Sequence, residues 1–137
     1  MIVQPYLMFS GNCEAAMNFY SKAVGSPIDM LMRMKDAPEQ GMCPPGNEDK
    51  VMHASMHIGK DTILMASDDP MRQTQGFSGF TLSITVEDQA AADRIYGALS
   101  AGGQQTMPLT KTFWSPYFGM LVDPFGVSWM ISLPGEQ

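Results

Sequence analysis

The chain has 137 residues, 45% of them hydrophobic and 16% charged, with a formal net charge of −6. Those values describe one folded domain with a core of useful size and exclude a disordered chain. The eight Lys and Arg residues are scattered, which argues against nucleic acid and anionic membrane as partners.

The N-terminal Met1-Ile2-Val3-Gln4-Pro5 has neither a basic region nor an apolar stretch of the signal-peptide kind. No apolar run reaches the roughly 20 residues of a membrane helix. Cys13 and Cys43 form no CxxC and no zinc spacing, and two thiols in a domain of this size suit a reducing cytoplasm. Fourteen methionines are many. Thioethers fill irregular gaps in cores and also line adaptable ligand pockets, and both readings stand.

Ile2 to Phe9 is short and apolar and predicts a strand, bounded by Ser10-Gly11-Asn12. Asn12 suits a helix N-cap; Ala16, Phe19, Tyr20, Ala23 and Val24 follow at helical spacing, and Gly25 ends the run. Tyr20 is expected in the core. Ile28 to Met34 predicts a second strand. Asp36 to Asp49, with Pro38, Gly41, Pro44, Pro45 and Gly46, predicts a loop able to fold over a site as a lid. Val51 to Ile58 and Thr62 to Ala66 flank Gly59-Lys60-Asp61 and predict a hairpin.

A polar, aperiodic stretch from residue 69 to 78 predicts a linker, and then the order repeats. Phe80 to Val86 reads as a strand. Glu87-Asp88 opens a helix carrying Ala91, Ile95, Ala98 and Leu99, which Gly102-Gly103 stops. Gln104 to Thr112 reads as a strand. Phe113 to Ile131 reads as a closing hairpin whose turn is Asp123-Pro124-Phe125-Gly126, with Asp123 bonding the backbone just ahead. The expected fold is α+β: two βαβββ modules, 1–68 and 79–137, in a single domain. Each has one helix for one sheet face, so pairing the modules leaves a cleft, the expected ligand site.

The repeated unit resembles the vicinal oxygen chelate superfamily, which includes glyoxalase I, extradiol dioxygenases and bleomycin-resistance proteins. The closer likeness is to the PhnB-like group, often labelled 3-demethylubiquinone 3-methyltransferase-like. It rests on Pro5-Tyr6-Leu7-Met8-Phe9, Gly11-Asn12-Cys13-Glu14-Ala15-Ala16, Phe19-Tyr20, His53-Ala54 and Gly79-Phe80-Thr81-Leu82. The last block runs from Phe113-Trp114 through Phe118-Gly119 and Asp123-Pro124-Phe125-Gly126 to Trp129-Met130-Ile131. The resemblance implies a cup-shaped mixed sheet around the cleft and a homodimer.

Metal-dependent members use His or Glu at four strand positions. By resemblance these fall near Pro5, at His53, near Phe80 and at Met130, or at Trp129 if the register slips by one. Divalent ions favour imidazole nitrogen and carboxylate oxygen, which Pro, Phe and Met do not supply, so no glyoxalase-type metal site is expected. His57 shares the strand face of His53, but their Cα atoms stand roughly 13 Å apart, too far for comfortable shared coordination. His57 reads as an exposed or hydrogen-bonded edge histidine.

Residues expected to line the ligand site are His53, Tyr6, Phe80, Trp114, Phe118 and Met130, with His53 as polar anchor or general base. Asp123 reads as a turn cap and Cys43 as an inert thiol. Ser10 and Ser55 belong to no Ser-His-Asp pattern. No cofactor is expected: no P-loop or GxGxxG is present, and no glycine-rich strand–loop–helix supports a methyl-donor cofactor. The leading reading is a module that binds a small, partly apolar or aromatic molecule without metal. A glyoxalase- or dioxygenase-type enzyme with an atypical metal site at His53 is the alternative, and a purely structural protein is the third.

Overall fold

The computed structural model describes residues 1–37, 45–71 and 76–135. The expectations for Cys43 and for most of the loop around it lie outside the described residues. The chain divides into two compact units, Met1–Gln75 and Gly76–Gln137. The first contains β1 (Tyr6–Phe9), α1 (Cys13–Val24), β2 (Ile28–Arg33), a 3-10 turn (Met34–Asp36), β3 (Val51–Ile58) and β4 (Thr62–Asp68). The second contains β5 (Leu82–Thr85), α2 (Gln89–Ser100), β6 (Gln104–Thr110), β7 (Phe118–Val122) and β8 (Ser128–Ser132).

Both units have one topology. The first sheet runs β1-β4-β3-β2 and the second β5-β8-β7-β6. In each, the opening strand pairs parallel with the last strand of its unit, and the remaining pairs are antiparallel. The fold is α+β, and the βαβββ repeat is present in the backbone.

In the first unit, Ala16, Met17, Tyr20 and Ala23 of α1 are buried with Leu7, Phe9, Ala54, Met56, Leu64 and Ala66 from the sheet. Strand alternation puts these sheet residues on the helix side. Gly25 closes α1 in the left-handed region at φ 73°, donating to the Ser21 carbonyl at 3.0 Å. The expected Asn12 cap is corrected. Asn12 occupies the cap position but its side chain accepts no capping bond. The carboxylate of Asp68, at the end of β4, does that work from 55 residues away: Oδ1 accepts from Gly11 N at 2.9 Å and Cys13 N at 3.0 Å, and Oδ2 accepts from Val51 N at 2.9 Å.

Cys13, directly beside that carboxylate, is fully buried. Burial pushes its thiol pKa up to about 12, with the negative charges of Asp68 and Glu14 adding to the rise. A thiol that holds its proton in the folded state above its unfolded value near 9.0 stabilises the fold below that pH. The contribution is lost as pH climbs toward about 12. The attacking species is the thiolate. In a Cys43→Ser background, Cys13 should therefore resist iodoacetamide at pH 8 in the native protein. It should react at the rate of a free thiol in 6 M guanidinium, as followed by mass spectrometry. Equal rates in both states would contradict the buried position.

In the second unit, α2 is capped by Asp88, whose side chain accepts from Ala91 N at 2.8 Å. Its buried face is Ala92, Ile95, Tyr96 and Leu99 rather than one including Ala91 and Ala98. Small shifts of a helical stripe follow from what the sheet offers, here a gap at Gly119. An added Cβ there would stand 2.9 Å from both Tyr96 and Leu109 side-chain carbons. Gly103 is required for a similar reason, since a Cβ would meet the Val122 carbonyl oxygen at 2.1 Å.

Several strand boundaries differ from expectation. Residues 2–5 lie outside β1, with Ile2 and Val3 exposed and Gln4 and Pro5 half-buried. The Met65 amide donates to the Pro5 carbonyl at 3.1 Å, but Pro5 has no amide to return a bond. Phe80 and Thr81 precede β5, whose approach turns at Gly79 with φ 85°. Residues 113–117 form a bend rather than the first half of a hairpin strand. Ser115 draws the chain in, its hydroxyl donating to the Leu133 carbonyl at 2.7 Å.

Candidate functional site

The faces of the first sheet are fixed by its register. Ala54 pairs with Leu31 on β2 and Ala66 on β4, on the helix side. His53, Ser55 and His57 alternate to the other face. There they neighbour Met32, Met30, Met65 and Ile63, and Met65 in turn pairs with Tyr6. The unit's only α-helix among the described residues lies on the opposite face. Tyr6, Met8 and Met30 are 40%, 48% and 39% exposed, an unusual concentration of open apolar side chains.

Two of the expected ligand-site residues meet on this face. The Tyr6 hydroxyl stands 3.0 Å from His53 Nδ1. Their rings are 5.6 Å apart and tilted by 33°. Because β1 and β3 are separated by β4, the pair spans the middle strand. A phenol both donates and accepts, so the bond holds either neutral tautomer of the imidazole. With Tyr6 donating, His53 keeps its hydrogen on Nε2 and can bond an acceptor on a ligand.

The other expected residues belong to the second unit. Met130 lies on the face away from α2, paired with Met120 on β7 and Ser83 on β5. Trp129 points to the helix side, 1% exposed, and its indole N–H donates to Asp123 Oδ2 at 2.8 Å. Phe118 is buried and meets Trp114 edge-on at 5.3 Å. Trp114 is 49% exposed and also touches Phe113 edge-on at 4.7 Å. Phe80 lies off the strand, half exposed, edge-on to Phe77 at 6.1 Å. Asp123 caps its turn as expected, accepting from Phe125 N at 2.8 Å and Val127 N at 3.0 Å.

The chemistry of the family's metal does not fit these side chains. Of Pro5, His53, Phe80 and Met130, only His53 offers a nitrogen or oxygen donor. Among the described residues no three His, Cys, Asp or Glu side chains converge. A methyl-donor cofactor of the dinucleotide-fold kind needs a glycine-rich strand–helix connection. β1 reaches α1 through Ser10-Gly11-Asn12, and β5 reaches α2 through Val86-Glu87-Asp88. Neither connection is glycine-rich. A polar concavity of about 80 Å³ at the start of α1, lined in part by Ser10, Gly11, Asn47 and Lys50, is far below the size of an organic ligand site.

Sequence reasoning missed the partner of His57. Its Nδ1 lies 2.6 Å from Asp29 Oδ2. Asp29 is the extra residue of a bulge on β2, between the pairs Ile28–Met56 and Met30–Ser55, and a bulge redirects a side chain in a way that alternation does not foretell.

No described helix is long and apolar enough to cross a membrane. Residues 2–132 match the family described as 3-demethylubiquinone-9 3-methyltransferase. The protein PA1353 from Pseudomonas aeruginosa is 38% identical, with a TM-score of 0.88 and 99% of each chain covered. A PhnB protein from Bacillus cereus, named for the same methyltransferase, is 32% identical, with a TM-score of 0.80 over 97% of this chain and 99% of its own. A glyoxylase/bleomycin resistance protein/dioxygenase domain from Frankia sp. EAN1pec is 14% identical, with a TM-score of 0.73 over 99% of this chain and 98% of its own, a likeness of fold alone. This chain thus belongs to the 3-demethylubiquinone-9 3-methyltransferase family, the PhnB-like group, and has the glyoxalase/bleomycin-resistance/dioxygenase fold.

Proposed function

We propose that the protein binds a small, partly apolar or aromatic molecule on the open face of the first sheet, without a glyoxalase-type metal. The observation that carries the reading is the Tyr6–His53 pair, held at 3.0 Å amid exposed Met8 and Met30. The pair supplies a fixed polar point, and the methionines supply a wall that adapts to the ligand's shape. Phe80, Trp114, Phe118 and Met130 are proposed as apolar ligand contacts within the second unit taken by itself. The donor chemistry at the four family positions supports a metal-free site.

The test is a thermal-shift screen with planar aromatic acids and phenols, of which 4-hydroxycinnamate is a representative. A ligand present at a hundred times its Kd should stabilise the protein by about 2.7 kcal/mol. His53→Ala should weaken that ligand about tenfold or more, and Tyr6→Phe by a smaller factor because it loosens the imidazole without removing it. No response across the screen, with His53→Ala indistinguishable from the parent, would defeat the proposal. A homodimer, the assembly that the resemblance implies, would show twice the chain's 15.0 kDa by light scattering. A 15.0 kDa species would refute it.

A further inference from the structure

We infer that His57 and Asp29 form a second recognition point on the same open face, one that takes a hydrogen-bond donor from the ligand. This rests on the proposed binding at His53 and deepens it. His53, Ser55 and His57 follow one another on one face of β3, and each imidazole is held by its Nδ1: His53 by the Tyr6 hydroxyl and His57 by the Asp29 carboxylate. The holders differ in kind. A carboxylate only accepts, so the 2.6 Å contact requires the hydrogen on His57 Nδ1. In the neutral ring Nε2 is then an acceptor. With Tyr6 donating to His53 Nδ1, His53 presents the opposite character, an Nε2–H donor. The side chains of His57 and Asp29 are 49% and 40% exposed, so the pair is reachable.

The Tyr6 hydroxyl can take either role, so an acceptor on the ligand selects the His53 tautomer in which Tyr6 donates, and the two rings then read a ligand with two different ends. An acceptor such as a carboxylate or carbonyl meets His53, and a phenol, alcohol or amine meets His57. Their Cα atoms are separated by four strand residues, roughly 13 Å, with Met30 and Met65 beside the intervening Ser55. An elongated molecule with an apolar middle suits that spacing, whereas a compact one with a single polar group can satisfy only one ring.

The test compares 4-hydroxycinnamate with cinnamate, which lacks the phenol, by isothermal titration. The parent protein should prefer 4-hydroxycinnamate by about tenfold, as one added hydrogen bond to a fixed partner allows. His57→Ala should abolish the preference while leaving cinnamate affinity unchanged. Asp29→Asn, which no longer fixes the tautomer, should reduce the preference in part. His53→Ala should weaken both compounds alike. A preference unchanged in His57→Ala, with both compounds weakened by His53→Ala, would overturn this inference and leave the site at His53 standing. Failure of both compounds to bind, or indifference of both to His53→Ala, would overturn the binding reading and this inference with it.

Discussion

Replacing Asp68 with alanine should lower the unfolding free energy by about 4 kcal/mol and the melting temperature by roughly 10–15 °C. Asp68 is 5% exposed and its two oxygens accept from three backbone amides, Gly11, Cys13 and Val51. Alanine leaves those amides without an acceptor, at about 1–3 kcal/mol for each one that water cannot reach. The Gly11 amide is partly accessible and recovers some of the loss. The residue also joins three elements: it ends β4, seats the start of α1 and fixes the first residue of β3. Asp68→Asn keeps one accepting oxygen and should cost about half as much. Urea unfolding of the three proteins checks the order. If Asp68→Ala lay within 1 kcal/mol of the parent, the assignment of the cap to this carboxylate would be wrong.

Asp123→Ala should cost a similar amount, about 4 kcal/mol, for a parallel reason in the second unit. The carboxylate is 2% exposed and accepts from two amides of its own turn and from the indole of Trp129. Trp129→Phe removes only the indole donor and part of a buried ring, and about 2 kcal/mol is expected. The two changes share one hydrogen bond, so the double variant should be less destabilised than the two single costs combined, by about 1–2 kcal/mol. Strict additivity would show that the bond contributes nothing.

Much of this architecture is legible in the sequence because local signals and tertiary packing agree. The duplicated order of strands and helices, the Gly25 helix end and the turn at Asp123 each rest on chemistry within a few residues. The failures share one cause, which is action at a distance. Asn12 has every local credential for a cap, yet a carboxylate 56 positions further along the chain takes the role. Phe113 and Trp114 look like strand residues until Ser115 bonds Leu133 and bends the chain.

The candidate site divides in the same way. His53 was legible as a polar residue on an apolar strand, and Tyr6 as an aromatic on its neighbour. Their hydrogen bond was not, since it reaches across β4. Nor could periodicity say whether Trp129 or Met130 faced the helix; the pairing of Leu121 with Trp129 decides it. The Asp29–His57 pair depends on a bulge that no spacing in the chain announces.

The central claim is a ligand anchored by His53 without a metal ion. It is tested most directly by titrating 4-hydroxycinnamate into protein first stripped with a chelator, then into the same protein supplied with zinc, nickel or manganese, beside His53→Ala. The expected result is equal binding with and without metal, weakened about tenfold or more in His53→Ala. Binding that vanishes on chelation and returns with one equivalent of a divalent ion, itself lost in His53→Ala, would contradict the account.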